Sequence, residues 1–147
     1  FFEKLQVLDG NHFKDEIARQ RAIHLLQFLA TGVTQLPDYE LLLPKFLCAL
    51  PFEIPIEREV NITKEEKEES EKLLQVMIDH WGALGTTTPD GLREGFLQRA
   101  GKLEKRQNGW YLQIENRTID MLLNQLPWNL SMIQLPWMKE LLRVEWY

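Results

Sequence analysis

Cys48, His12, His24, His80, a run of glutamates and a loop of glycines and threonines are the residues of this chain whose side chains could do chemistry. A nucleophilic thiol needs a neighbouring base. Cys48 instead lies in the apolar run Phe46-Leu47-Cys48-Ala49-Leu50 and reads as a small buried hydrophobe. One cysteine excludes a disulfide framework and a cysteine-rich zinc site, and fits a reducing cytoplasm. None of the histidines has metal-ligand spacing to another histidine, a cysteine or an acid. His24 sits beside an apolar helical stripe. His80 falls in the last turn of a helix, where an imidazolium suits the dipole, and its neighbour Asp79 points in a different direction. Glu65, Glu66, Glu68, Glu69 and Glu71 crowd the start of that helix and read as a solvated end.

Gly85-Thr86-Thr87-Thr88-Pro89 leading into a helix has the form of an anion-binding helix start. Neither GxGxxG nor GxxxxGK[ST] spacing is present, so a plain capped loop is the reading. No catalytic residue, cofactor or metal is therefore assigned, and the chain is not read as an enzyme. The remaining signal is aromatic. Trp110, Trp128, Trp137, Trp146 and Tyr147 fall in the last third of the chain. Most read as core. Trp128, Trp137, Trp146 and Tyr147 are candidates for a protein–protein surface, where such side chains are favoured anchors, with Trp146 and Tyr147 foremost.

These residues need elements to hold them, and 147 residues suffice for one domain with a core. A formal net charge of −5 argues against nucleic acid as the main partner. No apolar run of membrane-spanning length and no signal peptide is visible, so membrane insertion is not expected. The chain begins Phe1-Phe2-Glu3 and reads as a fragment of something longer.

Taken in order, Phe1–Leu8 reads as a helix tail, followed by a turn at Asp9-Gly10-Asn11. A helix is expected over Lys14–Ala30, with Ala18, Ala22, Leu25, Leu26 and Leu29 as its apolar stripe and Gly32 just past its end. Arg19, Arg21 and Gln27 should face solvent or a partner. Pro44 divides the next apolar patch into short helices at Asp38–Leu42 and Pro44–Leu50. Phe52–Ile62 reads as extended chain along a surface, with Pro55 forbidding a central strand. Thr63 and Glu66 form a capping-box pattern opening the central helix, whose stripe is Leu74, Met77, Ile78 and Trp81. Gly82 and Gly85 break it. Thr88 and Pro89 start the next helix, Leu92, Phe96 and Ala100 share a face, and Gly101 closes it; Phe96 should pin this helix to the stripe ending in Trp81.

Asn108-Gly109 predicts a two-residue hairpin turn pairing Gln107 with Trp110, Lys105 with Leu112 and Leu103 with Ile114 on the core-facing side, and Arg106 with Tyr111 and Glu104 with Gln113 on the other. A short helix over Thr118–Gln125 would turn Ile119, Leu122, Leu123 and Leu126 inward. Leu-Pro-Trp occurs at Leu126–Trp128 and Leu135–Trp137 as sharp exits. Leu130–Leu135 and Leu141–Trp146 read as strands that pair with each other or with the hairpin. The fold class is α+β, mostly helical: a single small helical domain, residues 1–147, with a β-hairpin and C-terminal short strands.

The segment Arg19-Gln20-Arg21-Ala22-Ile23-His24-Leu25-Leu26-Gln27-Phe28-Leu29-Ala30-Thr31-Gly32 resembles the RAVHLLQYLxTG pattern of contractile injection system tape measure proteins. Four more stretches match in order: Lys45–Pro51, Asp90–Arg99, Gln125–Trp128, and Leu135–Met138 with Val144–Trp146. Pro44 departs from the polar residue expected there. The resemblance implies a structural, assembly role in a phage-tail-like particle with sheath, tube and spiked baseplate, where tape length sets inner-tube length. A helix advances about 1.5 Å per residue, so chain length becomes distance.

This stretch is similar to the family's C-terminal portion, compact and without sustained heptads. It is expected to anchor one end of the ruler at the baseplate and spike or at the tube end. Implied partners are inner-tube and baseplate or spike proteins of the same particle. Trimeric phage-type spikes suggest a homotrimer. The implied location is the bacterial cytoplasm during assembly and then the particle's tube lumen or its end. A cytosolic adaptor or chaperone of assembly, gripping a client through the glutamate-rich helix and terminal aromatics, is the alternative. An effector or enzyme carried in the lumen is a further one, and it would need a pocket of perturbed titratable groups.

Overall fold

The computed structural model describes residues 1–34, 36–37, 40–58, 60–126 and 130–146, with Asn124 by its backbone alone. Its architecture is a mixed α+β one, with a two-stranded and a four-stranded sheet beside the helices. Two compact units emerge. One comprises residues 1–73 with 135–138, the other 74–134 with 139–147.

The first unit opens on a turn in which the Leu5 N–H donates to Phe1 O at 3.1 Å, where a helix tail was expected. The chain then enters a minimal hairpin, β1 (Leu8–Asp9) against β2 (His12–Phe13). Gly10 takes φ +65° at its turn, a conformation open to glycine at no steric cost. Helix α1 spans Glu16–Thr31. Asp15 caps it, accepting from the Ala18 N–H at 2.7 Å. Gly32 ends it at φ +73°, donating to Phe28 O at 2.7 Å, as the expected C-terminal glycine. Ala22, Ile23 and Leu25 are fully buried and cluster with Phe2, Phe13, Leu41, Cys48 and Leu50.

The polar residues of α1 depart from the expectation that they face outward. Gln27 is buried. Arg19 donates to the carbonyls of Cys48 and Ala49 at 2.9 Å each, and Arg21 pairs with Glu66 at 2.6 Å.

Helix α2 is a single element, Leu42–Leu47, that runs through Pro44. Proline is tolerated there because the N–H groups of a first turn have no intrahelical partner. Asp38 and Tyr39, the start of the other expected helix, lie outside the described residues. The described residues between Pro51 and Ile62 lie in no helix or strand, in keeping with Pro55. Ile56 and Ile62 are buried, whereas Phe52 and Ile54 are exposed, so the alternating residues do not share one fate.

Helix α3 spans Lys64–His80, its residues to Leu73 in the first unit and from Leu74 in the second. The capping box forms in both directions. The Glu66 N–H donates to Thr63 Oγ1 at 3.1 Å, and the Thr63 N–H donates to Glu66 Oε1 at 2.9 Å. The glutamate-rich start is not wholly solvated. Glu66 and Ser70, four apart, turn inward, while Lys64, Glu65, Lys67 and Glu68 stay exposed.

In the second unit Leu74, Ile78 and Trp81 are buried. A 3₁₀ turn, Gly82–Leu84, follows, and Gly85 at φ +56° reverses the chain. Thr88 caps helix α4 (Pro89–Leu92), accepting from the Gly91 N–H at 3.1 Å. The helix then widens into a π-turn over Arg93–Leu97 and stops at Gln98, short of the expected close at Gly101. Gly101 is instead the first residue of a strand. The Phe96 ring meets Trp81 edge-on with centroids 4.7 Å apart, the expected pin.

Strands β3 (Gly101–Arg106) and β4 (Gly109–Ile114) form the hairpin, paired Lys105↔Trp110 and Leu103↔Leu112. Its turn residues are Gln107 and Asn108, one position earlier than expected, and Gly109 takes φ +131° on the strand. Each partner thus shifts by two, which preserves facial membership because the side-chain period is two. A 3₁₀ helix covers Thr118–Gln125. Leu122, Leu123 and Leu126 are half-buried, but Ile119 is exposed. Pro127 and Trp128, the first Leu-Pro-Trp exit, lie outside the described residues. Strand β5 is only Met132–Ile133, shorter than the Leu130–Leu135 expected, and β6 is Leu142–Trp146. The two pair antiparallel, β6 pairs with β4 in parallel, and the sheet order is β3-β4-β6-β5.

Candidate functional site

Of the four aromatic candidates, Trp128 and Tyr147 lie outside the described residues. Trp137 belongs to the first unit. Its ring lies 4.9 Å from that of Phe13 and 5.8 Å from that of Phe2, and its indole N–H donates to Leu47 O at 2.6 Å. Trp146 ends β6 in the second unit, half-buried and paired through Ile114 with Gly101. That register puts it on the sheet face of Leu103, Leu112, Ile114, Leu142 and Val144. The glycine leaves the edge of its row without a side chain.

The opposite face is a charged aromatic array. Arg106 makes two bonds to the Glu145 carboxylate, at 2.8 and 3.0 Å, and its guanidinium lies 4.1 Å from the Tyr111 ring centroid. Arg143 approaches that ring at 5.7 Å and donates to Asn108 O at the hairpin turn. The Arg106 guanidinium, helped by the Gln113 amide, holds the Glu145 carboxyl below its ordinary range, and Glu145 in turn raises Arg106. Two cations and the carboxylate thus tie three strands around one tyrosine.

Arg99 is the second hub of this unit. It donates to Gly95 O at 2.8 Å, to Glu115 O at 3.1 Å, and through two nitrogens to Asp120. Both side chains of that pair are buried, with relative exposures of 5% and 8%. The Asp120 carboxylate also accepts from the Arg117 N–H at 2.7 Å, capping the 3₁₀ helix. Arg99 and then this N–H hold the Asp120 carboxyl below its ordinary range against the opposing effect of burial.

In the first unit the polar residues of α1 and α2 hold irregular chain by its carbonyls. Lys45 is buried and donates to Phe52 O at 2.9 Å and to Ile54 O. His24 bonds Glu57 O at 2.6 Å, Arg21 donates to Asn61 O at 3.1 Å, and Gln20 accepts from the Glu57 N–H at 3.0 Å. His24 is therefore a structural donor. Cys48 is fully buried, and that burial pushes its thiol up to about 12 against the small opposing effect of Arg19. At Gly85–Pro89 two hydroxyls are engaged internally: Thr87 donates to Leu84 O at 2.6 Å, and Thr88 caps a helix of four residues. Among the described residues no group of three or more His, Cys, Asp or Glu could hold a metal ion. Among them, too, no helix is long and apolar enough to cross a membrane.

Two of the stretches that resemble the tape measure pattern are thus bonded to a third. Arg19 and Trp137 both reach the carbonyls of the Lys45–Pro51 stretch. A family model described as contractile injection system tape measure protein matches residues 1–146. The chain belongs to that family. No curated protein and no solved structure matches it. Membership makes it a component of a contractile injection system, and the internal bonds above are how this family member holds its shape.

Sequence reasoning missed one surface. Leu42, Phe52 and Ile54 are exposed in the first unit, and Phe52 stacks on Phe46 at 6.3 Å. The signal available was a phenylalanine and an isoleucine between two prolines, Pro51 and Pro55, where no regular element could bury them.

Proposed function

We propose that this chain is the folded anchor of a tape measure, carried by a longer protein whose remaining length sets the inner tube and holding one end of it at the baseplate and spike or at the tube end. The observation that carries this reading is the family match over residues 1–146. Support comes from the short reach of the chain's helices. The 17-residue α3 advances about 26 Å, and among the described residues the other elements are shorter. The partners are inner-tube and baseplate or spike proteins, with Trp128, Trp137, Trp146 and Tyr147 as candidate contacts, in a three-fold arrangement matching a trimeric spike. Assembly takes place in the bacterial cytoplasm, and the domain then resides at the lumen or its end.

The test is made in the producing bacterium with the complete protein. Internal deletions upstream of this region should shorten the tube in proportion, and deletion of residues 1–147 should abolish tube initiation. A cryo-EM map should place the domain at one end of the tube. Density elsewhere would overturn the anchoring reading. A short complete chain that binds a soluble particle component reversibly would establish the adaptor in its place.

A further inference from the structure

We propose that the first unit carries a docking surface for a basic amphipathic segment of another protein, built from Leu42, Phe46, Phe52 and Ile54 and flanked by Glu40 and Glu53. Leu42 and Phe46 lie four apart on α2 and so share one side of it. The Phe46 and Phe52 rings stack 6.3 Å apart at 20°. Phe52 sits in a turn closed by the Ile54 N–H donating to Pro51 O at 3.1 Å. Leu42, Phe52 and Ile54 are 46%, 37% and 41% exposed, so apolar side chains on α2 and on the following turn face solvent on either side of the Phe46–Phe52 contact.

This surface is also pre-set. Lys45 lies buried beneath the turn and holds it by the carbonyls of Phe52 and Ile54. The turn is therefore ordered before a partner arrives, which removes part of the cost of binding.

Charge selects the occupant. Glu40 and Glu53 are exposed, and Glu53 stands between Phe52 and Ile54. The cation of this segment, Lys45, is turned inward. The sequence of the first unit holds fourteen acidic against nine basic residues, while that of the second holds eight of each. The whole net charge of −5 therefore belongs to the unit that carries the apolar area. A second copy of this chain would bring the same carboxylates against these and be repelled. A segment with aliphatic residues on one side and lysine or arginine flanking them satisfies both features. The inference rests on this surface alone and stands whether or not the domain anchors a tube.

The test uses the purified whole chain and a labelled leucine–lysine amphipathic peptide, with a twin in which every lysine is glutamate, read by fluorescence anisotropy. The lysine peptide should bind, more weakly as salt rises, and the glutamate twin should not. Phe52→Ser should weaken binding roughly tenfold or more. Glu53→Lys, an exposed change that leaves packing alone, should weaken it and flatten its salt dependence. Ile17→Ser, at an exposed residue of α1, should leave binding unchanged. Equal binding of the two peptides overturns the proposal. So does wild-type affinity in Glu53→Lys, or native mass spectrometry showing that the surface pairs two copies instead.

Discussion

The two units set their most buried cations on different partners. In the first, Arg19 and Lys45 end on backbone carbonyls, of Cys48 and Ala49 in one case and Phe52 and Ile54 in the other. In the second, Arg99 and Arg106 end on carboxylates, Asp120 and Glu145, that belong to other elements. The first arrangement gives irregular chain the bonds that a helix or sheet would otherwise supply. Other cations of that unit do meet carboxylates, Arg21 on Glu66 and Lys4 and Lys72 on Glu69, and its acidity follows from fourteen acidic against nine basic residues. The second unit holds carbonyls too, Arg99 those of Gly95 and Glu115 and Arg143 that of Asn108, but adds the carboxylate bonds to them. Arg99 and Arg106 join separate segments of a unit whose sequence holds eight acidic and eight basic residues.

The sharpest break of that comparison is at Arg99 and Asp120. Removing one partner of a buried ion pair costs about 3–5 kcal/mol, because the other charge is left without compensation. Asp120→Asn should therefore raise amide hydrogen exchange across residues 93–125 and leave α1 unchanged. Replacing both, Arg99→Met with Asp120→Leu, should recover most of the loss.

The same pair sets an acid limb. Arg99 lowers the Asp120 carboxyl in the folded state, so the pair's contribution is whole above the unfolded value of about 3.9. It is lost as pH falls through the lower folded value. Pulse-labelled exchange after incubation at each pH should show protection of residues 93–125 falling below about pH 4 in the native chain. In Asp120→Asn that dependence should be flattened, with protection already reduced at neutral pH. An unchanged acid limb in the variant would remove the pair from the account.

In the first unit the corresponding test is Lys45→Met, which keeps the stem and removes the donor. Two carbonyls then lose their bonds, at a cost of about 1–3 kcal/mol. Exchange should rise first over residues 52–58, and the Phe46–Phe52 stack should loosen. Protection spreading no further than the turn would support the clamp. Loss across α1 as well would make Lys45 a core residue of the whole unit.

How much of this was legible follows from the range of each interaction. The Thr63–Glu66 box, the Asp9-Gly10-Asn11 turn, the Gly32 stop and the Phe96–Trp81 contact rest on short spacings or on apolar periodicity, and all were readable. Polarity alone assigns Arg19, Arg21 and Gln27 to solvent or a partner and cannot name a partner within the same chain. The partners of Arg19 and Arg21 lie dozens of residues away, at Cys48, Ala49 and Glu66. The hairpin slipped by one turn position because Asn-Gly is favoured in both central positions, yet Gly109 serves as the first strand residue. The helix after Pro89 ended early because widening to a π-turn leaves no mark in hydrophobic spacing. Of the candidate surface, tryptophans were legible as large contact groups, but whether each one covers its own core or faces out depends on tertiary placement.

A smaller effect distinguishes the two helix starts. Thr63 exchanges two bonds with Glu66, whereas Thr88 accepts one, at the head of a helix of four residues. Thr63→Ala should cost about 1 kcal/mol, typical of a lost cap. It should also free Glu66, which pairs with Arg21. Thr88→Ala should cost less, since the two following turns are held by Phe96 on Trp81 and by Arg99. Equal losses, read by exchange at residues 64–68 and 89–93, would show that the reciprocal half of the box contributes nothing.

The last comparison uses Cys48 as a reporter. The thiol is fully buried and pushed up to about 12, so the native chain presents almost no thiolate near pH 8. Unfolding returns it toward about 8.5, so iodoacetamide should label the unfolded chain on the order of a thousandfold faster. Labelling of the native chain then measures how often the first unit opens. Because Arg19 bonds the Cys48 and Ala49 carbonyls, Arg19→Met should speed native labelling, and Lys45→Met should do so to a lesser degree. Asp120→Asn acts in the other unit and should leave the rate unchanged. If it accelerates labelling as much as Arg19→Met does, the two units open together.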